Sequence, residues 1–201
     1  MNVLVACEYS GRVRDAFIAA GHNAWSCDLL PSERPGPHHC GDVTKILDDG
    51  WDLLIAHPPC TYLCSSGARW MSDPARQVKM EEALDFVRFL LDAPIEKIAL
   101  ENPVGIISTQ IRKPDQYVHP YQFGDDAAKK TGLWLKNLPL LVPDPADYVE
   151  PKLIEYKGKT VKRWGNQSPC GANNLGPSAD RWKERSRTYQ GIADAMAAQW
   201  G

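Results

Sequence analysis

Two segments of the chain carry residue types that can perform nucleophilic chemistry. Cys60 follows two prolines in His57-Pro58-Pro59-Cys60, directly after a predicted strand, and proline rings fix the backbone that presents the thiol. Glu101 follows the next predicted strand, in Glu101-Asn102-Pro103. A thiolate that adds to C6 of a pyrimidine makes C5 nucleophilic, and a carboxyl group that holds N3 and the exocyclic amine eases that addition. The pair suits this chemistry, although Pro-Pro-Cys by itself is more often a structural turn with a buried thiol.

The elements around these segments predict a parallel sheet. Short apolar runs alternate with stretches whose apolar residues recur at helical spacing, such as Val13 to Ala20 and Met80 to Leu91. The predicted strands are Val3–Cys7, Asn23–Cys27, Trp51–Ala56 and Lys97–Leu100. Ligands bind outside the carboxyl ends of such strands, so the polar residues that follow each strand are expected to meet at one edge.

Three further segments suit a nucleoside cofactor. Glu8 to Gly11 follows the first strand, Asp28 follows the second, and Gly41-Asp42-Val43 precedes the strand that leads to Cys60. A nucleoside needs a close backbone approach, an acidic acceptor for its ribose hydroxyls and a polar partner for its adenine amine. All three features occur in that order.

With these motifs the sequence resembles the DNA cytosine-C5 methyltransferases that use S-adenosylmethionine, specifically the short bacteriophage and prophage versions. The resemblance covers most of the chain and implies a Rossmann-like α/β methyltransferase fold, a mostly parallel sheet with helices on both faces. It implies Cys60 and Glu101 as catalytic residues, DNA as partner and S-adenosylmethionine as cofactor. The implied cofactor-binding residues are Cys7, Glu8, Ser10, Gly11, Asp28, Asp42, Val43, Pro59 and Asp194, and the implied substrate-binding residues include Asn102 and Lys130.

The sequence departs from the family pattern at several positions. Tyr9 and Arg12 stand where the family usually has glycines, and Thr61 replaces the glutamine after the nucleophile. Cys64 and Gly67 fall where the family tends to have serine and glycine. The separate lobe that reads DNA sequence is reduced or absent, because only about forty residues separate the 138–141 region from Arg181. Sequence specificity is therefore expected to be low or very short.

Composition supports one globular unit. The chain has 201 residues, 43% of them hydrophobic and 24% charged, which predicts a single domain over residues 1–201. Its start lacks the pattern of a secretory signal, and the six cysteines are interpreted as reduced thiols in the bacterial cytoplasm. No apolar run reaches the length of a membrane span, so a soluble protein is expected, while its oligomeric state stays open.

A basic segment near the end is the candidate nucleic-acid surface. Residues 142–180 are rich in Pro, Gly, Asn and Lys, and we expect an irregular excursion there, followed by a helical stretch from Arg181 to Trp200. The formal net charge is -2, which excludes a wholly basic coat but permits a local basic face. Cations for phosphates and rings for stacking suit nucleic acid, with Arg185 and Arg187 as substrate-binding candidates. A solvated surface with core aromatics is the alternative.

Other functions also fit parts of the sequence. His38-His39-Cys40 with Cys60 and Cys64 could be assembled into a zinc site, but the spacing matches no tetrahedral pattern, and no metal is expected. The same chemistry could use a carboxylated S-adenosylmethionine, or a nucleotide or RNA acceptor. A basic side chain near the cofactor's methyl group would favour the carboxylated donor. A catalytically idle relative that only binds nucleic acid is a third possibility, against which the presence of both Cys60 and Glu101 argues.

Overall fold

A computed structural model of the chain describes residues 1–65 and 73–201. Strands and α-helices alternate through most of the described part. In chain order the elements are β1 (Asn2–Ala6), α1 (Arg12–Ala19), β2 (Asn23–Asp28), β3 (His38–Cys40), β4 (Leu53–Ala56), α2 (Pro74–Leu91), β5 (Lys97–Pro103), α3 (Ile107–Gln110), β6 (Gln116–Val118), β7 (Thr131–Lys136), β8 (Lys152–Tyr156), β9 (Lys159–Arg163), α4 (Arg181–Ser186) and α5 (Gln190–Trp200).

Seven of the strands form one sheet in the order β3-β2-β1-β4-β5-β7-β6. The strands from β3 to β5 run parallel to their neighbours, whereas β7 is antiparallel to both β5 and β6. In the order 3-2-1-4-5 of a Rossmann sheet, the direction of winding reverses between β1 and β4, and ligands bind at that point. The predicted mostly parallel Rossmann-like α/β sheet is confirmed.

Helices cover both faces of the sheet because alternate strand residues point to opposite sides. Val3 and Val5 of β1 pack in the apolar layer that holds α1 and α5, whereas Leu4 and Ala6 pack in the layer that holds α2. Both sides of β1 are fully buried, as in strands of parallel sheets that are covered on two faces. Because β1 and its neighbour β4 are held in the sheet in this way, the positions of the residues that follow them are also fixed.

The first helix ends as its sequence predicts. Gly21 has φ +88°, its N–H donates to the carbonyl of Ile18 at 2.9 Å, and the N–H of His22 donates to the carbonyl of Phe17 at 3.0 Å. This pair of hydrogen bonds is a Schellman motif, which requires a left-handed residue that glycine adopts without a steric penalty.

Strand β5 is longer than the sequence predicts. Residues Ile98 to Pro103 pair with β7, so Glu101 and Asn102 lie inside the strand rather than after it. The extension comes from an antiparallel partner that lies about thirty residues further along the chain, and local sequence carries no signal for it. The predicted final helix is divided into α4 and α5 by the extended residues Arg187 to Tyr189.

The segment 142–180, expected to be irregular, contains a regular β-hairpin. Strands β8 and β9 pair antiparallel and form a separate two-stranded sheet. The two runs are short and flank Lys157-Gly158, a pattern that favours a hairpin over a loop. Between β7 and α4, all of which is described, this hairpin and a 3-10 turn at Pro145–Asp147 are the regular elements. None of the described helices has the length and apolar composition of a membrane span.

Candidate active site

Cys60 lies four residues beyond the end of β4. The carbonyl of Cys60 accepts hydrogen bonds from the N–H groups of Leu63 and Cys64, at 3.0 and 2.9 Å, which closes a tight turn after the two prolines. The thiols of Cys60 and Cys64 are hydrogen-bonded to each other. This hydrogen bond and burial raise the pKa of the Cys60 thiol, while the positive charge of Lys129 lowers it. The sulfur is therefore a protonated thiol at neutral pH.

Glu101 is held by a histidine from the neighbouring strand end. Nδ1–H of His57 donates to Oε2 of Glu101 at 2.8 Å, and the side chain of His57 is only 8% exposed. Burial is the largest influence on the pKa of Glu101 and raises it, but Lys129, His57 and the Thr131 hydroxyl together lower that pKa to about 2. Glu101 is therefore a carboxylate across the physiological pH range.

Lys129 completes this group of charges. Its ammonium lowers the pKa of both Cys60 and Glu101, and its Nζ donates to the carbonyl of Arg185 at 3.3 Å. Lys130, the sequence candidate, is exposed, and its Nζ lies 4.3 Å from the ring centroid of Tyr117. Lys129 rather than Lys130 therefore contributes its charge to the site. We refer to Cys60, His57, Glu101 and Lys129 as the strand-end cluster.

Asn102 joins the two strand ends. Its Nδ2 donates to the carbonyl of Pro58 at 2.8 Å, which fixes the segment before Cys60 against β5. Oδ1 of Asn102 and Nε2 of His57 are buried and have no hydrogen-bond partner among the described residues. Buried polar atoms normally have partners, so these two atoms are available to a bound molecule.

A cavity lies next to the strand-end cluster, between the ends of β1 and β4. This is the reversal point of the sheet, at which ligands of Rossmann-like proteins bind. The residues that line it are Cys7, Glu8, Tyr9, Ser10, His57, Ser186 and Thr188. Three predicted cofactor residues, Cys7, Glu8 and Ser10, therefore share one cavity with the unpartnered nitrogen of His57.

Glu8 shapes the turn between β1 and α1. Its buried carboxylate accepts hydrogen bonds from the backbone N–H of Val13 at 2.8 Å, of Arg14 at 3.2 Å, and from the Ser10 hydroxyl at 3.0 Å. These bonds satisfy N–H groups that the first turn of α1 leaves open, and the negative charge suits the helix N-terminus. Gly11 has φ +70°, and a Cβ there would lie 2.5 Å from Nη2 of Arg14. Glycine is therefore required at this position.

Asp28 is the last residue of β2, and Asp42 follows β3 at the same edge. Asp28 Oδ1 accepts from the N–H of Leu30 at 2.9 Å, and burial raises the pKa of this carboxyl. Asp42 is exposed and caps a 3-10 turn by accepting from the N–H of Thr44 at 3.0 Å, which lowers its pKa. The N–H of Gly41 donates to the carbonyl of Asp28 at 2.9 Å, so the two loops are connected. Val43 is buried in the apolar layer of α2.

The C-terminal segment 183–188 covers the turn after β1. The Tyr9 hydroxyl donates to the carbonyl of Lys183 at 2.7 Å, and Nη1 of Arg12 donates to the carbonyl of Thr188 at 3.0 Å. Arg187 donates to both carboxylate oxygens of Glu33, at 2.9 and 2.7 Å. The two residues that replace family glycines, Tyr9 and Arg12, therefore hold this segment.

The remaining sequence candidates lie outside this arrangement. Pro59 and Arg185 are exposed. Asp194 on α5 is also exposed, and its carboxylate accepts a hydrogen bond from Nε2 of Gln190 in the same helix at 2.8 Å. Both ring nitrogens of His38 have partners, Ser26 Oγ and the Leu30 carbonyl, each at 2.9 Å. Gly67 lies outside the described residues.

Three contributions were missed by the sequence reasoning. The sequence analysis assigns no role to His57, selects Lys130 rather than Lys129, and selects neither Ser186 nor Thr188. The signal for His57 was its place directly after a strand, where the polar residues of Rossmann sheets meet their ligands. For Ser186 and Thr188 the sequence carries no signal, because they reach the cavity only through the fold of the C-terminal segment.

Comparisons with known proteins find similarity in structure but not in sequence. No family model matches the chain, and no curated protein matches it. The chain is similar to a solved structure described as a DNA modification methyltransferase encoded within an E. coli prophage, at TM-score 0.49 and 17% identity, over 72% of this chain and 51% of that one. It is also similar to the Entamoeba histolytica methyltransferase EhMeth, at TM-score 0.47 and 15% identity, over 69% of this chain and 53% of that one.

The chain spans about half the length of each of these two structures. At this level of identity the likeness concerns the Rossmann-like α/β architecture alone. What the chain does must therefore be argued from its own residues.

Proposed function

We propose that the protein transfers a methyl group from S-adenosylmethionine to C5 of cytosine in DNA through a covalent adduct between Cys60 and C6. The observation that carries this proposal is the strand-end cluster, in which Glu101 of β5, held by His57, and Lys129 both lie close enough to the Cys60 thiol for their charges to act on it. Binding of nucleic acid alone requires neither the thiol nor the carboxylate. A structural turn does not require a carboxylate and an ammonium near its thiol.

Glu101 and His57 are suited to hold the base. As a carboxylate, Glu101 can accept a hydrogen bond from the exocyclic amine and stabilise a proton on N3, which makes C6 more electrophilic. His57 keeps the carboxylate in one orientation through its Nδ1–H. The target cytosine must leave its stack to reach this buried position.

Cys60 is suited to be the nucleophile once the base is bound. Its thiol loses its proton as sulfur adds to C6, and the positive charge of Lys129 favours the thiolate. Addition gives C5 the electron density with which it takes the methyl group. Water then accepts the C5 proton, the electrons of the C5–H bond restore the C5–C6 double bond, and the thiolate leaves with the electrons of the C6–S bond.

The residue types around the cavity beside the cluster suit the nucleoside part of the cofactor. Its lining residues Cys7 and Ser10, the unpartnered Nε2 of His57, and Asp28 at the next strand end offer the backbone approach and polar partners that a nucleoside needs. The sulfonium methyl group is the electrophile that S-adenosylmethionine supplies when bound. In this arrangement Asp28 would accept from the ribose hydroxyls and Asp42 from the adenine amine.

The test is to incubate the protein with S-adenosylmethionine and cytosine-rich DNA, digest the DNA to nucleosides and identify the products. We expect deoxycytidine to gain one methylene and to co-elute with the 5-methyl standard. Co-elution with the N4-methyl standard, or a product on deoxyadenosine, would contradict C5 chemistry. A gain of a carboxymethyl group would contradict methyl as the transferred group.

A second experiment tests the covalent step. In DNA that carries 5-fluorocytosine, C5 has no proton to lose after methyl transfer, so the adduct with the enzyme should persist. We expect a denaturation-resistant protein–DNA complex that requires S-adenosylmethionine and maps to Cys60. Covalent attachment of the DNA to another cysteine would refute the proposed adduct. The absence of any covalent complex, in a protein that still forms 5-methylcytosine on normal DNA, would refute it as well.

A further inference from the structure

The hairpin β8–β9, defined as Lys152–Arg163, stands apart from the main sheet. Lys157 and Gly158 connect its strands with φ +51° and +73°, so both turn residues are left-handed. Two-residue turns of this kind match the twist of the flanking strands. The result is a regular two-stranded ribbon rather than a loop.

Charge on the hairpin is opposite in sign to that of the whole chain. It carries five cationic residues and one acidic residue, whereas the chain has a formal net charge of -2. Lys152 pairs with Asp126 at 3.7 Å, and the Arg163 guanidinium donates to backbone carbonyls. The three lysines nearest the turn, Lys157, Lys159 and Lys162, are exposed and form no ion pair with any described residue.

Folding does not explain this composition. Leu153 on β8 is 66% exposed, and Ile154, Tyr156 and Val161 are only half-buried. An isolated hairpin with so little apolar burial is marginally stable in water. Its order therefore depends on how its base is attached.

The base of the hairpin is attached to the segment that leads to the strand-end cluster. The ring of Trp164, directly after β9, stacks on Tyr121 at 4.2 Å between centroids and 13° between planes. The N–H of Gly165 donates to Asp126 Oδ1 at 2.7 Å, and Asn166 Oδ1 accepts from the N–H of Ala128 at 2.9 Å. Residue 129, which follows, is the lysine of the cluster. The hairpin is thus held in a fixed position relative to Cys60 and Glu101.

We propose that the hairpin lies in the major groove of duplex DNA and holds the duplex over the strand-end cluster. The major groove is wide enough for a two-stranded β-ribbon, and uncompensated lysines at its tip can neutralise phosphates on both sides of the groove. This inference rests on the proposed function for its choice of DNA as partner. It gives the short chain a DNA-reading element in place of a separate lobe.

The test is the salt dependence of binding to a cytosine-containing duplex of about twenty base pairs, measured by fluorescence anisotropy without cofactor. The variant Lys157→Asn, Lys159→Gln, Lys162→Gln removes three phosphate partners; asparagine is used at 157 because it tolerates positive φ. We expect the slope of log affinity against log salt to become shallower by about 2 to 3, since each phosphate contact contributes about 0.9. The matched control Lys45→Gln, Lys79→Gln, Lys113→Gln changes net charge equally and should leave the slope unchanged.

Two further measurements make the result specific. The variant Lys157→Arg, Lys159→Arg, Lys162→Arg keeps the charge and should retain the slope; an equal loss of slope there would overturn the inference, because phosphate contacts would not be its cause. Methyl green, which occupies the major groove, should displace the protein, and netropsin, which occupies the minor groove, should not. The inference is overturned by an unchanged slope in the first variant, by displacement with netropsin alone, or by equal losses on single-stranded DNA.

This experiment is independent of catalysis. If nucleoside analysis finds no methylated base but the hairpin variant loses its salt slope, the proposed chemistry fails and the DNA contact stands. If methylation occurs and the slope is unchanged, the chemistry stands and the hairpin is not the contact.

Discussion

The strand-end cluster and the hairpin hold their polar groups in different ways. In the cluster, Glu101 and His57 are buried and bonded to each other, and their positions follow from strands that are packed on both faces. On the hairpin, Lys157, Lys159 and Lys162 are exposed, and only the base of the ribbon is attached to the rest of the protein. Buried groups in fixed geometry suit chemistry, whereas exposed charges suit long-range, salt-dependent attraction.

The basic C-terminal segment shows the same contrast within itself. The three lysines at the hairpin tip have no acidic partner among the described residues, whereas two of the four cations of residues 181–187 do. Arg187 pairs with Glu33 and Glu184, and Lys183 pairs with Asp180. The two basic runs therefore differ in the structure: the charge of the hairpin tip is uncompensated, whereas Arg187 in the other run holds the turn after β1 in place through Glu33.

The largest effect is expected from Cys60→Ser, which tests the chemical side of the comparison. A hydroxyl is a far weaker nucleophile at neutral pH, so the rate of methyl transfer should fall by about three orders of magnitude or more. The salt slope of DNA binding should not change. Cys40→Ser, at an exposed site, is the control and should keep full activity. Comparable turnover in the Cys60 variant would sink the covalent mechanism.

A smaller effect is expected from His57→Phe, which removes the donor to Glu101. The rate at pH 7.5 should fall by about 10–100-fold, the size of a lost positioning or acid–base contribution. Without the hydrogen bond and charge of His57, burial dominates and the pKa of Glu101 rises from about 2, so the carboxylate protonates at higher pH. The variant's pH–rate profile should therefore gain an acid limb that the parent lacks above pH 4.

His57→Gln provides the matched comparison, because its amide can still donate a hydrogen bond. It should recover part of the rate and shift the acid limb back toward lower pH. An equal loss in both variants with no change in the profile would mean that His57 acts on packing rather than on Glu101.

The acidic residues at the ends of β2 and β3 should affect cofactor binding before chemistry. Loss of a hydrogen bond to a charged group costs about 1.5–3 kcal/mol, so Asp28→Asn and Asp42→Asn should each weaken S-adenosylmethionine binding about tenfold or more. Calorimetric titration measures this directly, with the exposed Asp48→Asn as control. Unchanged affinity in both variants would place the nucleoside elsewhere.

The smallest effect is expected from the ion pair between Arg187 and Glu33. Their side chains are 24% and 32% exposed, and such pairs contribute up to about 1 kcal/mol. A double-mutant cycle with Arg187→Ala and Glu33→Ala should give a coupling of roughly that size in the free energy of unfolding. The salt slope of DNA binding should stay constant. A slope reduced as in the hairpin variant would abolish the distinction between the two basic runs.

Much of the fold could be predicted from local patterns. Apolar strands alternating with helical stripes indicate a parallel sheet, and the conformational freedom of Gly21 marks the end of α1. The place of Cys60 and Glu101 near each other follows from the same reasoning, because neighbouring parallel strands end at one edge. The antiparallel β7 could not be predicted in this way, since its pairing with β5 depends on residues distant in sequence.

The periodicity of apolar residues determines where the strands end. The sequence by itself therefore determined which residue types stand at the strand ends. Only the tertiary structure decided which of them act together. Lys129 rather than Lys130 lowers the pKa of Cys60 and Glu101, because Lys130 lies over the ring of Tyr117 on β6, and His57 bonds to Glu101 because β4 and β5 are neighbours. Long-range pairing likewise divided one basic stretch into a ribbon with uncompensated charge and a segment with paired charge. Whether two charges compensate each other depends on the distance between them in space. The order of neighbouring residues in the sequence does not contain that distance.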